Sequence, residues 1–399
     1  MTRFGGALVL GLVVTVSALA FGSRPLGVAG LGLLFAAGSV HVWRGAVRER
    51  VAVVQAAHPS PAVEGARVRL EVEVRRASRM PVAAATVRGS LGRVGEYECR
   101  LRGHGRTLTG TVDLGRLPRG CFRVSEARLE LGDVLGLETV SLPIDGAAVV
   151  LVHPRLVELE TLFSEAGRRG GDGRRLLLRR TAGFDFHSVR EYEQGESLRR
   201  VHWPTTARRG QLMVKELDDA PRDAVVVVLD CDPSGAVGSP PDSSFDTAVR
   251  AAASILRVYA ARGRRATLVA TGTGGVVDVC SLTDFGDALD ALAAVEPDAA
   301  FPLARALGHE QAPAARAGEL VVVTATLDPV SLGAVLDSAA RRLVSVVWVD
   351  APSFAGRPTR AVPGLLRLSA AGVPVAVLRR GDDIAARLDG ARPEVAAHG

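Results

Sequence analysis

The chain has 399 residues, 47% apolar but only 4% aromatic, with 49 basic against 43 acidic residues and a formal net charge of +6. That length exceeds one hydrophobic core and implies two or three domains built on Ala, Val and Leu. The basic residues are almost all arginine, Lys215 being the one lysine, and the modest excess is no argument for a nucleic-acid partner.

The first elements are two uncharged runs. GGALVLGLVVTVSALAFG (Gly5–Gly22) and LGVAGLGLLFAAGSVHVW (Leu26–Trp43) each approach the length of a helix that spans a bilayer. Ser23–Pro25 separates them as a turn. The first run has no small-residue cleavage site before Arg24, and a second run follows at once, which reads as a membrane hairpin rather than a secretory leader. Arg3 on one side and Arg44, Arg48 and Arg50 on the other, against Arg24 in the turn, place both ends and all later residues in the cytoplasm. Gly27, Gly30, Gly32 and Gly38 would let the helices approach closely, and Trp43 is expected at the interface.

From residue 51 to 155 the pattern is that of strands. ARVRLEVEVRR (Ala66–Arg76) puts Val68, Leu70, Val72 and Val74 on one face and Arg67, Arg69, Glu71 and Glu73 on the other. CFRVSEARLEL (Cys121–Leu131) alternates again, and SRMP, LPRG and LGD mark turns. An antiparallel β-sandwich is expected. Cys99, Cys121, Cys231 and Cys280 form no C-x-x-C pair and have no His at ligand spacing, so they read as small buried side chains in a reducing compartment.

Residues 156–222 are dominated by arginine. Between Arg168 and Arg209 there are 11 arginines and five acids. In REYEQGESLRR the two signs alternate, which is unlike a groove that tracks phosphates. GRRGGDGRRLLLRR (Gly167–Arg180) suits a solvated loop or the anionic surface of a bilayer. His187 with Ser188 and Glu191, or His202 with Thr205 and Thr206, could be offered as hydrolase groups, but neither set has a nucleophile elbow. Arg190, Glu191, Glu196 and Arg199 can form paired contacts, and Trp203 can anchor a core with its N–H satisfied. An interdomain clasp is the favoured reading.

Residues 223–399 change pattern. Strands are expected at Asp223–Asp230, Ala266–Ala270, Val276–Cys280, Glu319–Ala325, Leu343–Asp350 and Val373–Leu378. Helices are expected at Ser244–Gly263, Phe285–Val295 and Val330–Arg341. The first helix should bury one face: Phe245, Val249, Ala252, Ala253, Leu256 and Ala260. Strand–helix alternation with apolar strands means a doubly wound α/β sheet. Its first strand ends in DCDPSG, where Asp230, Asp232 and Ser234 could offer oxygens to a hard cation such as Mg²⁺.

That loop resembles the metal-ion-dependent adhesion motif, D-x-S-x-S, of von Willebrand factor A domains. Asp232 replaces the first serine, and Ala325 stands where the family expects a further Asp, with Asp328 three residues late. The preceding segment resembles the signature of the domain-of-unknown-function-58 family. Gly183, Phe186, Arg190, Tyr192, Gly195, Arg199, Trp203, Ala207, Leu212, Val214 and Lys215 match in register, while Glu196 and Pro204 depart from it. RGCF at Arg119, GDVLGL (Gly132–Leu137) and VHP (Val152–Pro154) resemble further motifs of that family. The resemblance implies two transmembrane helices, a β-sandwich-like domain and a doubly wound, von Willebrand factor A-like (Rossmann-like) domain. It also implies a bacterial membrane protein associated with MoxR-type AAA+ ATPases and transglutaminase-like membrane proteins. A membrane-anchored interaction or assembly protein without enzymatic activity is therefore expected. A divalent-metal adhesion module, or a hydrolase using His187 and His202, is the alternative.

Overall fold

The computed structural model describes residues 3–144, 148–166, 186–191, 203–217, 224–272, 275–308, 312–358 and 362–390. They form two compact units, residues 1–153 and 154–399.

The first unit opens with helices α1 (Arg3–Phe21) and α2 (Arg24–Val47). Both are long and apolar enough to cross a membrane, and they expose Leu12, Leu19, Phe21, Val28, Leu31 and Phe35. The helices meet at Gly30, where a Cβ would collide with Thr15, lying 2.8 Å from its backbone nitrogen. Gly11 is the second close point, beneath Leu33 and Leu34. Gly32 and Gly38 face open space and Gly27 makes only ordinary contact, so the expected four-glycine seam reduces to Gly30. Trp43 also departs from expectation. It is 5% exposed, packs in the core of the strands that follow, and donates its indole N–H to the Pro81 carbonyl at 2.8 Å.

Ten strands follow: β1 (Val51–His58), β2 (Ala62–Val63), β3 (Arg67–Arg76), β4 (Ala84–Leu91), β5 (Gly95–Arg100), β6 (Arg102–His104), β7 (Thr107–Arg116), β8 (Gly120–Gly132), β9 (Thr139–Pro143) and β10 (Val149–His153). One sheet runs β1-β3-β7-β6. The other runs β2-β10-β8-β4-β5, with β9 also on β8. All pairings are antiparallel except the short β2–β10 contact. Val68, Leu70, Val72 and Val74 of β3 share one core with Val87, Phe122, Leu129 and Leu131 of the facing sheet, which makes the expected sandwich.

Strand β8 carries a break that the alternation of its sequence conceals. Phe122 and Val124 point inward, and then Ala127, Leu129 and Leu131 do. The inward set changes parity at a bulge opposite Gly89, where Glu126 has φ +52°. The extra residue keeps both halves of the strand facing one core.

In the second unit, residues 154–166, ending in α3 (Phe163–Ala166), are followed by β11 (Phe186–Glu191), α4 (Trp203–Arg209) and β12 (Met213–Leu217). A six-stranded sheet comes next. Its elements are β13 (Val225–Leu229), α5 (Ser244–Ala261), β14 (Ala266–Ala270), β15 (Val276–Val279), α6 (Phe285–Ala294), α7 (Leu303–Gly308), α8 (Pro313–Arg316), β16 (Glu319–Thr324), α9 (Pro329–Arg341), β17 (Leu343–Val349), α10 (Ala351–Phe354), α11 (Pro363–Ala370), β18 (Val375–Leu378) and α12 (Ile384–Leu388). The order is β15-β14-β13-β16-β17-β18, parallel except for β15. Val225, Val227 and Leu229 enter a core with α5, α6 and α12, while Val226 and Val228 enter a second core with α7, α9 and α11. Helices on both faces explain why β13 reads as an unbroken apolar run. The short helices α7, α8, α10, α11 and α12 had no clear period in the sequence.

Helix α5 begins at a Ser N-cap: Ser243 Oγ accepts the Asp246 N–H at 3.0 Å and donates to Asp246 Oδ2 at 2.6 Å. It is buried on nearly every side, not on the single expected face. Residues 154–166 cover the remainder. Leu156, Leu159 and Phe163 pack onto its core, and the Val157 N–H donates to Ser254 Oγ at 2.9 Å. Arg262 of the same region pairs with Glu165 and donates to the Glu160 carbonyl. Asp389 accepts the Thr161 N–H and hydroxyl at 3.2 and 3.0 Å. This segment is therefore part of the α/β unit. Cys99 and Cys231 are buried as expected, but Cys121 and Cys280 are exposed.

The bulge can be tested directly. Any L side chain at a left-handed position costs about 1–2 kcal/mol relative to one at negative φ, a strain Glu126 already carries and Gly relieves, and a β-branched side chain tolerates it least. Chemical denaturation should show Glu126→Gly at least as stable as the parent and Glu126→Val less stable; equal losses would count against the bulge.

Candidate functional site

The β-branched run of β13 ends at Asp230, where the chain leaves the sheet through CDPSG. Asp232 caps the 3₁₀ turn Pro233–Gly235, its Oδ1 accepting the Ser234 N–H at 2.9 Å. On one side of β13 lies β14, which follows it in sequence; on the other lies β16, reached later. Carboxyl ends on either side of such a reversal form the crevice in which doubly wound sheets place ligands.

Here the crevice is occupied by the chain's own groups. The Asp230 side chain is 7% exposed. Its Oδ2 accepts the Thr326 hydroxyl at 3.0 Å and lies 2.7 Å from the Thr324 hydroxyl. Its Oδ1 accepts the Asp232 N–H at 3.3 Å and faces the Thr271 hydroxyl at 3.5 Å. Thr324 ends β16, and Thr271 follows the last residue of β14. The Thr324 hydroxyl also lies 2.6 Å from the Thr326 carbonyl and accepts the Thr326 N–H at 3.0 Å, so its one proton serves either the carboxylate or that carbonyl. The Thr271 hydroxyl accepts the Cys231 N–H at 2.8 Å. The turn leans on the end of β16 so closely that a Cβ at Gly235 would lie 2.9 Å from that of Ala325.

Burial raises the Asp230 carboxyl above its ordinary value, and the Thr324, Thr326 and Asp232 donors offset part of that rise. Burial also pushes the neighbouring Cys231 thiol up to about 11. A thiol so placed holds on the order of 10⁻⁴ of its population as thiolate at neutral pH and is no nucleophile.

The expected Mg²⁺ ligands do not converge. Asp230 directs both oxygens at protein donors, Asp232 caps its own turn, and Ser234 supplies its amide to that cap. Ala325 offers no carboxylate, and Asp328 instead caps α9, its Oδ1 accepting the Ser331 N–H at 2.8 Å. Among the described residues no three His, Cys, Asp or Glu side chains gather. The carboxylates of this set are engaged within the chain and do not form a ready-made divalent-cation site. The threonines that hold Asp230 were not singled out from the sequence; the signal available was a hydroxyl at or just beyond the carboxyl end of an apolar strand.

The arginine-rich segment is described only in part. Phe186 and Arg190 lie on β11, Val214 and Lys215 on β12, and the two strands pair antiparallel with Arg190 opposite Val214 and Val189 opposite Lys215. The Thr206 hydroxyl accepts the Met213 N–H at 3.0 Å and ties α4 to β12. Trp203 is not the core anchor expected: it starts α4 and is 64% exposed, with Leu212 exposed nearby in sequence and Met213 buried. Gly183, Tyr192, Gly195, Glu196, Arg199 and His202 lie outside the described residues, and His187 is placed only as a position on β11.

The sign of the Asp230 shift gives an expected pH response. A native carboxyl that titrates above its ordinary value holds its proton longer than the unfolded chain does. Stability therefore falls as pH rises from about 3.8 through the raised native value. Asp230→Asn should remove that slope and be no less stable at pH 7, whereas Thr324→Val, which removes one donor, should cost about 1–3 kcal/mol there. Denaturant melts at pH 4 and pH 7 check both; a large loss in Asp230→Asn at pH 7 would show that the charge itself is required.

A family model described as "Protein of unknown function DUF58" matches residues 188–353, from within β11 to α10. The chain is 29% identical over 227 residues to "Uncharacterized protein YeaD" of Bacillus subtilis (strain 168), covering 56% of this chain and 54% of that protein. It thus spans about half the length of that curated relative. Among solved structures, Cwp6 from Clostridium difficile aligns over 74% of this chain and 37% of its own at 8% identity, with a TM-score of 0.20, a likeness that carries no argument. What the comparisons establish is a match to the DUF58 family from within β11, through β12, over most of the α/β sheet, and a relative described as uncharacterised.

Proposed function

We propose that this chain is a membrane-anchored interaction and assembly protein, not an enzyme, which works with a MoxR-type AAA+ ATPase and a transglutaminase-like membrane protein. In this reading α1 and α2 cross the bilayer as a hairpin with both soluble units in the cytoplasm. The α/β unit is a von Willebrand factor A-like module that has given up its metal. The observation carrying the reading is the saturated Asp230 carboxylate. At the position where such a sheet binds a ligand, the buried Asp230 carboxylate is engaged by Asp232, Thr271, Thr324 and Thr326 of the chain itself, so binding is left to outer surfaces. The exposed Trp203 and Leu212 of the family-matched segment are apolar groups of the kind a partner covers. The orientation rests on the flanking arginines and the partners on the family resemblance.

Affinity purification of the full chain from membranes in mild detergent should recover an AAA+ ATPase, and Trp203→Ala should weaken that recovery without altering the fold. Repeated recovery of no ATPase would end this reading. Calorimetric titration with Mg²⁺ should give no binding heat; heat that Asp230→Ala abolishes would restore the metal-dependent adhesion reading. Loss of a measurable turnover in His187→Ala or His202→Ala would instead support a hydrolase.

A further inference from the structure

Helix α2 carries no acidic or basic residue except His41 between Arg24 and Arg44. At 1.5 Å per residue, Pro25 to Trp43 covers about 29 Å, close to the ~30 Å hydrocarbon core of a bilayer. The half of this stretch next to the β-sandwich, from Phe35 to Trp43, forms one wall of an apolar groove of about 590 Å³. The opposite wall is made by two loops of the sandwich unit, through Met80, Pro81, Val134 and Leu135.

Both loops are held in place. The Trp43 indole N–H donates to the Pro81 carbonyl, so the first is fixed to α2. In the second, the buried Asp133 carboxylate accepts the Leu135 N–H at 2.9 Å and the Glu138 N–H at 2.7 Å, and Gly136 closes the turn at φ +67°. Arg44 reaches Glu138 at 3.8 Å. This turn therefore holds its apolar tip outward: Val134 is 59% and Leu135 53% exposed. The facing residues of α2 are more exposed still, Phe35 at 78% and Val42 at 61%.

The groove wall and the lipid-facing side of the candidate span are one continuous surface. Whatever covers Phe35 and Val42 also reaches Val134 and Leu135. Arg48, Arg50 and Arg79 are exposed close by in the chain, at the end of α2 and beside Met80, where anionic headgroups attract them.

We propose that the Met80–Pro81 and Val134–Leu135 loops are a membrane-seating surface, dipping into the leaflet beside α2 with phospholipid acyl chains filling the groove. The sandwich then lies against the bilayer at a fixed height and is not suspended from a flexible tether. This rests on the reading of α2 as a span, and the test separates the two.

In the full chain, the exposed thiols are removed as Cys121→Ser and Cys280→Ser. One new thiol is then introduced at a time, as Phe35→Cys, Val134→Cys, Leu135→Cys or Val94→Cys, the last in the 3₁₀ turn that follows β4. Each is labelled with an environment-sensitive fluorophore and reconstituted in phosphatidylcholine–phosphatidylglycerol vesicles with or without doxyl-labelled lipid. Labels at positions 134 and 135 should be quenched at least about twofold more than the label at 94, with shallow doxyl groups most effective, and position 35 should respond to deeper ones. Quenching at 35 with 134 and 135 behaving like 94 would overturn the proposal and leave the span intact. Absence of quenching at 35 would remove the span reading and the proposal together. Blue-shifted emission at 134 and 135 without quenching would mean that protein covers the groove, and would also overturn the proposal.

Discussion

The Asp230 carboxylate is removed from water at the carboxyl end of the central strand β13. A buried acid without partners is costly, and the donors that offset this cost come from the ends of the flanking strands β14 and β16 and from its own turn. The ends of three neighbouring strands thus gather around one buried group. That group also decides what the crevice can do. Hydroxyls line the carboxylate on two sides, and a cation entering there would have to displace them. The capping roles of Asp232 and Asp328 complete the picture, since both acids serve the backbone.

The first unit rests on a different constraint. The helix α2 does not end before the β-sandwich begins; its last turns contribute Trp43 and Val47 to the sandwich core. An indole N–H buried in such a place needs an acceptor, and the Pro81 carbonyl supplies it. The helix and the sandwich are joined by packing as well as by chain.

Periodicity carried most of the secondary structure. The inward set of β3 and the unbroken run of β13 both follow from how many faces of the sheet are covered. Where the sequence misled, the cause lay in neighbours distant along the chain. The α5 pattern suggested one buried face, but residues 154–166 cover the other. Glycine spacing suggested a long seam between α1 and α2, but which glycines meet depends on the crossing of the two helices, and only Gly11 and Gly30 lie at it. Trp203, a large apolar residue among charges, looked like an anchor and is exposed. In β8 the alternation on either side hides the parity change from Val124 to Ala127, and only the opposing Gly89 shows that it is a bulge.

By itself, the sequence determined the order of elements, the two apolar helices, the sandwich and the α/β sheet, because each depends on period and on punctuation by Gly and Pro along a short stretch. The acid at the end of β13 was also visible there. Which groups that acid engages is visible only in the tertiary structure. Its partners Thr271, Thr324 and Thr326 lie 41, 94 and 96 residues away. Hydrogen-bond satisfaction of a buried group is a property of the packed chain, and no local pattern encodes it.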